Sequence, residues 1–426
     1  MRCQSRRTAA FAVLVRAACL GAFLQCALPA WPQTAPDPSL EQQRLQQRED
    51  AQRRRLEPNP DVHLQAPAAP EPGRLPASES PCFVIHAVRW VPIDAAAANV
   101  LTHPLTGWQR WLDAALAGPG ADDSPLSRCI GAAGVRVLQA RAQGPLLARG
   151  YTTSRVFVEP QDLSGGELRF TIVPGRIHSI RLADPQSPRA RLANALPMQP
   201  GDILNLRDLE QGLENLKRPP TADADIRIEP AQALPGQPPA GPGESDLAVS
   251  WRQGRPFRLN VGADNGGTKE TGQYQGSVTV SLDNPLGLND LIYLSLNHDL
   301  GGGMPGGRGT HGGAAHYEVP WGYWLLGLTG SQYSYYQSIA GATSTIVYAG
   351  TGGANEAALS RVVQRDARGK TILTAKAWQR SASNFINDTE VGVQRRVEGG
   401  WELGAERSQV IGAAVLNARA AYKQGT

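Results

Sequence analysis

Long hydrophobic runs are missing from this sequence after its first thirty residues. The 426 residues include only 7 phenylalanines and 3 methionines, and the mean hydropathy is -0.31. A membrane-spanning helix needs about 20 consecutive apolar residues, so none is predicted beyond the N-terminus. If the chain enters a membrane, strands must cross it instead.

Enzyme signatures are missing as well. The sequence has no G-x-S-x-G elbow, no H-E-x-x-H and no Walker lysine. The run Gly301-Gly302-Gly303 lacks the Lys-Ser/Thr of a phosphate-binding loop, so a flexible loop is predicted there. A net charge of +4 from scattered basic residues gives no indication of nucleic-acid binding. We therefore expect no enzyme, no cofactor, no metal site and no nucleic-acid partner.

The N-terminus has the pattern of a secretory signal peptide. Arg2, Arg6 and Arg7 precede an apolar stretch from Ala9 to Leu28, and small residues follow as candidate cleavage sites. We predict that residues 1–35 are removed and that the mature chain enters an oxidising compartment.

Two cysteines, Cys82 and Cys129, remain after residue 35. In an oxidising compartment such a pair predicts a disulfide. A metal site is disfavoured because no nearby histidine or carboxylate has the spacing that completes a tetrahedral shell. A bridge closing this loop would contribute about 4 kcal/mol on the chain-entropy account.

Residues 36–58 predict a helix that is polar on every side. Ser39 and Gln42 have the spacing of a capping box, and too few apolar residues follow to form a buried stripe. Such a helix lies in water or in a wet cavity, and a disordered arm is the alternative. Residues 59–80 are rich in proline and predict a semi-rigid linker rather than a domain.

Two similar α+β units follow. In residues 81–175 the predicted order is strand, two helices and two strands, with a helix from about Cys129 to Gly150 and strands at 151–159 and 167–173. Residues 176–252 repeat this order, with a helix at 204–216. Repetition of one small unit indicates tandem domains.

A hairpin from Gln273 to Leu300 introduces a different architecture. Apolar and polar residues alternate along each half, and an Asn, Pro and Gly-rich turn joins them. Strands of about ten residues with one apolar and one polar face are typical of outer-membrane barrels. A soluble sandwich has the same alternation, so this hairpin alone does not decide between them.

The rest of the chain, residues 253–426, predicts roughly eight or nine strands. In the clearest late strand, Val391, Val393 and Val397 begin an apolar face. The opposite face carries the candidate pore-lining charges Arg396, Glu398, Glu402 and Glu406. Unpaired charges cost several kcal/mol in a dry core, so these residues favour a water-filled lumen.

Six aromatic residues are candidates for an interfacial girdle: Trp321, Tyr323, Trp324, Tyr333, Tyr335 and Tyr336. Together with the signal peptide and the missing helices, they favour a barrel over a sandwich. The predicted fold class is α+β followed by all-β, with an antiparallel outer-membrane β-barrel after the tandem units.

Several stretches resemble the two-partner secretion transporters, whose periplasmic units are called POTRA domains. The strand opening at Cys82, the helix start at Cys129 and the segment containing Gly150, Tyr151, Thr153, Ser154 and Arg155 resemble the first POTRA domain. The helix from Leu204 to Leu213 resembles that of the second domain. The segment with Asp283, Asn284, Pro285 and Gly287 resembles an early barrel turn.

This resemblance implies a place in the outer membrane of a Gram-negative bacterium, with both β-α-α-β-β POTRA domains in the periplasm. Members export one large exoprotein, a haemolysin or adhesin, without ATP. The POTRA domains capture its N-terminal secretion domain, and a polar helix like Ser39–Leu56 plugs the pore. The expected partners are thus the exoprotein and the lipid bilayer. An assembly factor for outer-membrane proteins is the alternative, and a passive porin is a more distant one.

Capture requires a surface for an extended chain. An open sheet edge at Arg227 and Ile228 could add a strand through backbone hydrogen bonds. Tyr151 and Arg155 are further candidates for partner contact, although a packed strand start is the favoured interpretation of this segment.

One departure from the family is evident. The chain ends at Gln424-Gly425-Thr426 with about half of the expected strands, and it lacks the family's Val-Arg-Gly-(Tyr/Phe) motif. An open half-barrel leaves strand edges that lipid cannot satisfy. We therefore expect a fragment or a truncated gene, and a non-functional truncated transporter is a further alternative.

Overall fold

The computed structural model describes residues 38–56, 60–68, 71, 73–103, 107–184, 191–232, 240–341 and 343–425. The expected signal peptide, residues 1–35, lies outside them. Among the described residues, no helix is both long enough and apolar enough to cross a membrane. Helix α1 spans Pro38–Leu56, inside the segment for which the sequence predicts a polar helix.

The first α+β unit has a three-stranded sheet covered by helices. Its elements are β1 (Phe83–Ile85), β2 (Ala87–Pro92), α2 (Ala95–Thr102), α3 (Gln109–Leu116), β3 (Arg128–Ile130), α4 (Ala132–Ala148), β4 (Arg155–Phe157) and β5 (Glu167–Val173). In this sheet β5 lies between β2, which is parallel to it, and β4, which is antiparallel. Leu112, Leu138, Leu146 and Phe170 are fully buried between the helices and the sheet.

Two boundaries in this unit differ from the predicted ones. The helix begins at Ala132 rather than at Cys129, because residues 128–130 pair with β1 as strand β3. A disulfide joins Cys82 to Cys129 across this pair, with the Cα atoms 5.3 Å apart. The strand predicted at 151–159 is reduced to Arg155–Phe157, because turn hydrogen bonds hold Thr152 and Ser154 to preceding carbonyls.

The second α+β unit repeats the first around its own core. It contains β6 (Arg176–Leu182), α5 (Leu192–Ala195), α6 (Leu206–Leu216), β7 (Ala222–Pro230) and β8 (Glu244–Gln253), with strand order β6-β8-β7. Helix α6 starts two residues later than predicted because Asn205 is its N-cap and accepts a hydrogen bond from the Arg207 N–H. Leu209, Leu213 and Leu216 on one face fill the core.

The predicted linker is bonded to both units and is not a free spacer. Leu75 is buried in the first core, and Glu79 accepts hydrogen bonds from the N–H groups of Gly131, Ala133 and Gly134 at the start of α4. Val62, Leu64 and Ala66 pack on the core of the second unit. The proline content predicts stiffness correctly but carries no information on these attachments.

The remaining described chain forms a ten-stranded antiparallel sheet in which most strands pair with their sequence neighbours. Its strands are β9 (Phe257–Asp264), β10 (Tyr274–Asp283), β11 (Leu291–Gly301), β12 (Arg308–Trp321), β13 (Trp324–Ala340), β14 (Thr345–Asp366), β15 (Gly369–Ile386), β16 (Thr389–Glu390), β17 (Arg396–Ile411) and β18 (Ala414–Gly425). The hairpin predicted at 273–300 is β10 and β11.

The predicted late strand begins too early. Val391 and Val393 lie in a turn that includes the 3₁₀ segment Gly392–Gln394, held by hydrogen bonds from the Val391 N–H to the Asn384 carbonyl and from the Gln394 N–H to the Val391 carbonyl. Val393 is 95% exposed. The strand itself starts at Arg396, and Val397, Trp401 and Leu403 share one face as predicted.

Candidate functional site: a charged sheet face and its junction with the second unit

The large sheet has two different faces. One face is apolar and exposed, and is here called the open face; the other is polar and largely buried. On β11, Leu294 and Leu296 are 51% and 56% exposed, and their partners on β10 are Val280 and Val278. Between them, the buried hydroxyls of Thr279 and Ser295 are hydrogen-bonded at 3.0 Å. A soluble sandwich buries the opposite face, so this polarity separates the two interpretations that the hairpin pattern leaves open.

The girdle prediction is wrong for at least two of its six residues, Tyr335 and Tyr323. Trp321, Trp324 and Tyr336 are exposed on the apolar side. Tyr335 is buried and donates to Asn384 Oδ1 at 3.0 Å. Tyr323 lies in the turn before β13 and donates its hydroxyl hydrogen to Asp208 of α6.

The four predicted pore-lining residues lie on the polar face of the sheet. Lys376 is paired in register with Glu402, and Arg380 with Glu398. Arg396 and Glu406 follow at even spacing on the same strand and therefore share this face. Lys423 lies over the ring of Trp378, 4.2 Å from its centroid. The face thus offers charges of both signs together with aromatic surface.

Helix α1 is held against this polar face by ion pairs. Arg53 Nη1 donates to Glu356 Oε1 at 3.0 Å, and Lys376 Nζ lies 3.5 Å from the same oxygen. At the other end of the sheet, Arg48 lies 3.4 Å from Asp264 on β9. A helix without an apolar stripe cannot be held by a core, so these charges account for its position.

The motif residues of the first unit lie at its junction with the second. Gly150 has φ +91°, and its carbonyl accepts a hydrogen bond from the Leu206 N–H at the start of α6. A Cβ atom there would lie 2.5 Å from Asn205 Oδ1. Ser154 Oγ accepts from the Gly175 N–H at 2.9 Å. This geometry gives the motif a role in joining the two units.

Tyr151 and Arg155 make contacts within the chain. The Tyr151 ring lies 4.7 Å from that of Trp108. Arg155 Nη1 donates to the carbonyl oxygens of Thr152 and Ser154, and Thr153 packs against Gly175. These contacts position the segment and leave partner contact by the two residues a prediction.

Strand β7, which contains Arg227 and Ile228, is an edge of its sheet. Among the described strands it pairs only with β8, where Arg227 is opposite Ala248 and Ile228 is opposite Leu247. Ile228 is 37% exposed. The nine-residue strand (Ala222–Pro230) therefore presents one row of backbone groups that the sheet does not use.

The turn that contains Asp283, Asn284, Pro285 and Gly287 connects the sheet to the second unit. The Asp283 carboxylate is fully buried and accepts hydrogen bonds from Arg258 on β9 and from the Thr221 N–H. Asn284 and Gly287 have φ +58° and +70°, as the turn chemistry requires. Further along the turn, Asn289 Nδ2 donates to the Arg191 carbonyl at 2.8 Å.

Sequence reasoning missed a charged cluster between α6 and the turn that joins β14 to β15. Glu210 and Glu214 lie one helical turn apart beside the apolar stripe of α6, with side chains 0% and 5% exposed. Arg365 donates to Glu210 at 2.9 Å and to Glu214 at 2.7 Å. Arg207 bonds to Glu210, and Lys370 Nζ lies 3.1 Å from Glu214.

A second contact fastens the same helix to the turn before β13. Tyr323 bonds to Asp208, and burial raises the pKa of the Asp208 carboxyl. Asn215 Nδ2 donates to the Gly322 carbonyl at 2.7 Å. The only sequence signal was the i, i+4 spacing of two glutamates beside a leucine stripe, and such glutamates are more often solvated.

Comparisons with known proteins match this architecture. The family profile described as "Haemolysin secretion/activation protein ShlB/FhaC/HecB" matches residues 243–426. A POTRA profile matches residues 176–230, and a ShlB-type POTRA profile matches residues 123–175. The two α+β units are therefore POTRA domains.

Individual relatives agree with these profiles. The chain is 33% identical over 403 residues to outer membrane transporter CdiB-2 of Burkholderia pseudomallei, covering 90% of this chain and 64% of that protein. It is 30% identical over 210 residues to hemolysin transporter protein ShlB of Serratia marcescens, covering 47% of this chain and 34% of that protein. The chain thus spans less than two thirds of the length of these curated relatives.

A solved structure gives the same result. The structure of CdiB from Acinetobacter baumannii superposes on this chain with a TM-score of 0.76 at 28% sequence identity. The match covers 91% of this chain and 70% of the CdiB chain. The fold is accordingly a pair of POTRA domains followed by strands of an outer-membrane β-barrel. Residues 243–426 thus match the ShlB/FhaC/HecB family of haemolysin secretion/activation proteins, and two POTRA domains precede them.

Proposed function

We propose that this protein is an outer-membrane translocator, which captures a large exoprotein in the periplasm and exports it through a β-barrel pore without ATP. The observation that carries the proposal is the polarity of the large sheet. Its apolar open face suits lipid, and its charged face, to which α1 is fastened, suits a wet passage. The family's members are transporters, and the POTRA domains would lie on the periplasmic side.

Capture would use the open edge of β7. An incoming strand needs only backbone groups there, so a long and variable exoprotein segment can be accepted with little sequence demand. Along an antiparallel strand the backbone N–H groups alternate in direction, so that of Arg227 and that of Ile228 point to opposite sides. One of them faces β8, and the other faces the open edge.

This alternation gives a direct test of capture. We expect one of the variants Arg227→Pro and Ile228→Pro to abolish pull-down of the exoprotein's secretion domain while the melting temperature of the protein is unchanged. The other should break the β7–β8 ladder and lower that temperature. Arg227→Ala keeps the N–H and should bind normally. Normal pull-down by both proline variants would rule out this edge.

The same variants, expressed in cells, test export. Cells that express the protein together with its exoprotein should release the exoprotein into the medium, and the capture-deficient proline variant should retain it in the periplasm. If the protein instead assembles outer-membrane proteins, its deletion would lower the amounts of unrelated barrels and leave the exoprotein unaffected.

We predict that Arg53→Glu dislodges α1. The new carboxylate faces Glu356, so a charge-assisted hydrogen bond worth about 1.5–3 kcal/mol is replaced by repulsion. The fraction of molecules in which α1 has left the polar face should therefore rise by roughly tenfold or more. This fraction is measured as channel conductance in lipid bilayers or as entry of a large hydrophilic antibiotic into cells. Arg54→Glu is the matched control, because Arg54 is exposed on the same helix.

Restoration of the pair supplies the decisive comparison. Glu356→Arg in the Arg53→Glu background recreates the ion pair with reversed polarity. Because Lys376 then faces a like charge, conductance should fall only part of the way to the wild-type value. Equal conductance in the wild-type protein, the single variant and the double variant would show that this pair does not hold the helix.

A further inference from the structure

Residues 61–66, here called the strap, cross the surface of α6 in an extended conformation. The Val62 N–H donates to Glu214 Oε1 at 3.0 Å, and the Leu64 N–H donates to Glu210 Oε1 at 2.8 Å. Two carboxylates one helical turn apart thus bind alternate N–H groups of one strand.

The carbonyl groups of the same two residues are bound as well. Arg365 Nη2 donates to the Val62 carbonyl at 2.7 Å, and Arg207 Nη2 lies 3.4 Å from the Leu64 carbonyl. Every backbone donor and acceptor of these two residues therefore has a charged side-chain partner. Because none of these bonds involves a strap side chain, the site recognises extended backbone rather than a particular sequence.

Strap side chains alternate between the core and solvent. Val62, Leu64 and Ala66 pack against the apolar core of the second POTRA domain. Asp61, His63 and Gln65 are exposed, although the Asp61 carboxylate lies 3.3 Å from Lys370 Nζ. The groove thus accepts a small or medium apolar residue at every second position, and it leaves the positions of His63 and Gln65 unrestricted.

The charged side chains of this groove use the strap backbone as a hydrogen-bond partner. Glu210, Glu214 and Arg365 have side chains that are 0%, 5% and 2% exposed with the strap in place. If the strap left, these side chains would lose their hydrogen bonds to its backbone, which is costly for charged groups unless new partners replace them. Another extended chain of the same pattern would restore those bonds.

We propose that this groove is a binding site for extended polypeptide, that the strap is its resident occupant, and that a segment of the exoprotein with apolar residues at alternate positions replaces it. This inference rests on the proposed export function. Because the strap follows α1 in the sequence, its release would remove an attachment beyond the end of α1, whose ion pairs with the sheet would remain.

The exchange can be measured on the full-length protein in detergent micelles. A nitroxide on His63→Cys reports the mobility of the strap without altering a residue that contacts the groove. We expect an excess of a synthetic peptide with the sequence of residues 60–68 to raise the mobile fraction of the label roughly tenfold. A peptide carrying Val62→Asp and Leu64→Asp should leave the label immobile, and one carrying His63→Ala and Gln65→Ala should act like the parent peptide.

Two sets of results would contradict the proposal. A label that stays immobile at every concentration of the parent peptide, or equal release by the aspartate peptide, would overturn the site. The purified secretion domain of the exoprotein should release the strap as the parent peptide does, and failure of that domain alone would overturn its role as the natural occupant. The label experiment does not depend on export. If the protein released its strap to the peptide but exported no exoprotein in cells, the proposed transport function would be wrong and the peptide-binding site would still be supported.

Discussion

Replacing Arg365 with methionine is expected to detach the second POTRA domain from the turn between β14 and β15. The cluster contains three acids, Asp61, Glu210 and Glu214, and three bases, Arg207, Arg365 and Lys370. Removal of Arg365 leaves a net negative charge in the cluster, where Glu210 and Glu214 are 0% and 5% exposed and Asp61 is 45% exposed. Loss of one partner of a buried ion pair costs about 3–5 kcal/mol.

Hydrogen exchange measures this detachment. With Arg207 and Lys370 still present, we expect the lower end of that range, about 3 kcal/mol, which is roughly a 100-fold increase in amide exchange of α6 and the strap. Arg368→Met is the control, because Arg368 is exposed in the turn that follows Arg365 and the end of β14. Unchanged exchange in the Arg365 variant would show that the leucine stripe of α6, rather than the ion cluster, sets the position of the domain.

Charge balance can be restored separately from shape. Adding Glu214→Gln to the Arg365→Met variant returns the cluster to neutrality and keeps a hydrogen-bond acceptor for the Val62 N–H. We expect this double variant to recover part of the lost protection. A further loss instead would mean that individual hydrogen bonds outweigh the net charge.

Local periodicity explains why the element types could be predicted. In β10 and β11 the alternation of side chains defines two faces, and in α6 the leucines recur at helical spacing above an asparagine cap. Repetition of one element order identified the second domain from the first. Boundaries were less secure, since the turn at Val391 and the pairing of residues 128–130 depend on partners distant in sequence.

Long-range charge pairing could not be predicted in the same way. Arg365 and Glu210 are 155 positions apart, and a charged residue near a turn is ordinarily solvated. The strap was hidden for a related reason, because its recognition uses backbone groups that every sequence has. The error in the girdle prediction, by contrast, could have been avoided from the sequence. Tyr335 and Tyr336 are adjacent in a strand, so their side chains lie on opposite faces and cannot both face lipid.

The second large effect is expected in the first POTRA domain, where Asp123→Asn should destabilise the fold by about 3–5 kcal/mol. Asp123 accepts a hydrogen bond from the Leu75 N–H at 2.8 Å and ion-pairs with Arg141 and Arg128. The Arg141 side chain is 0% exposed, so the variant would leave a buried guanidinium without its counter-charge.

The same contacts make this domain sensitive to acid. The hydrogen bond from Leu75 and the guanidinium groups of Arg141 and Arg128 lower the pKa of the Asp123 carboxyl from 3.8 to about 2. Because the pKa in the folded state lies below the ordinary value, the stabilisation is complete above about pH 4 and is lost as the pH falls towards 2. Asp123→Asn should therefore be less stable at neutral pH and lose less stability over that interval.

Urea unfolding followed by hydrogen exchange of the α4 amides measures both effects in the full-length protein. Asp122→Asn is the matched control, since Asp122 pairs with Arg74 through side chains that are 59% and 71% exposed, and such pairs contribute about 0–1 kcal/mol. If the two variants unfolded at the same urea concentration, the buried pair would contribute no more than an exposed one. The peptide carbonyls of Gly73 and Leu116, which also accept from Arg141, would then be sufficient to hold its charge.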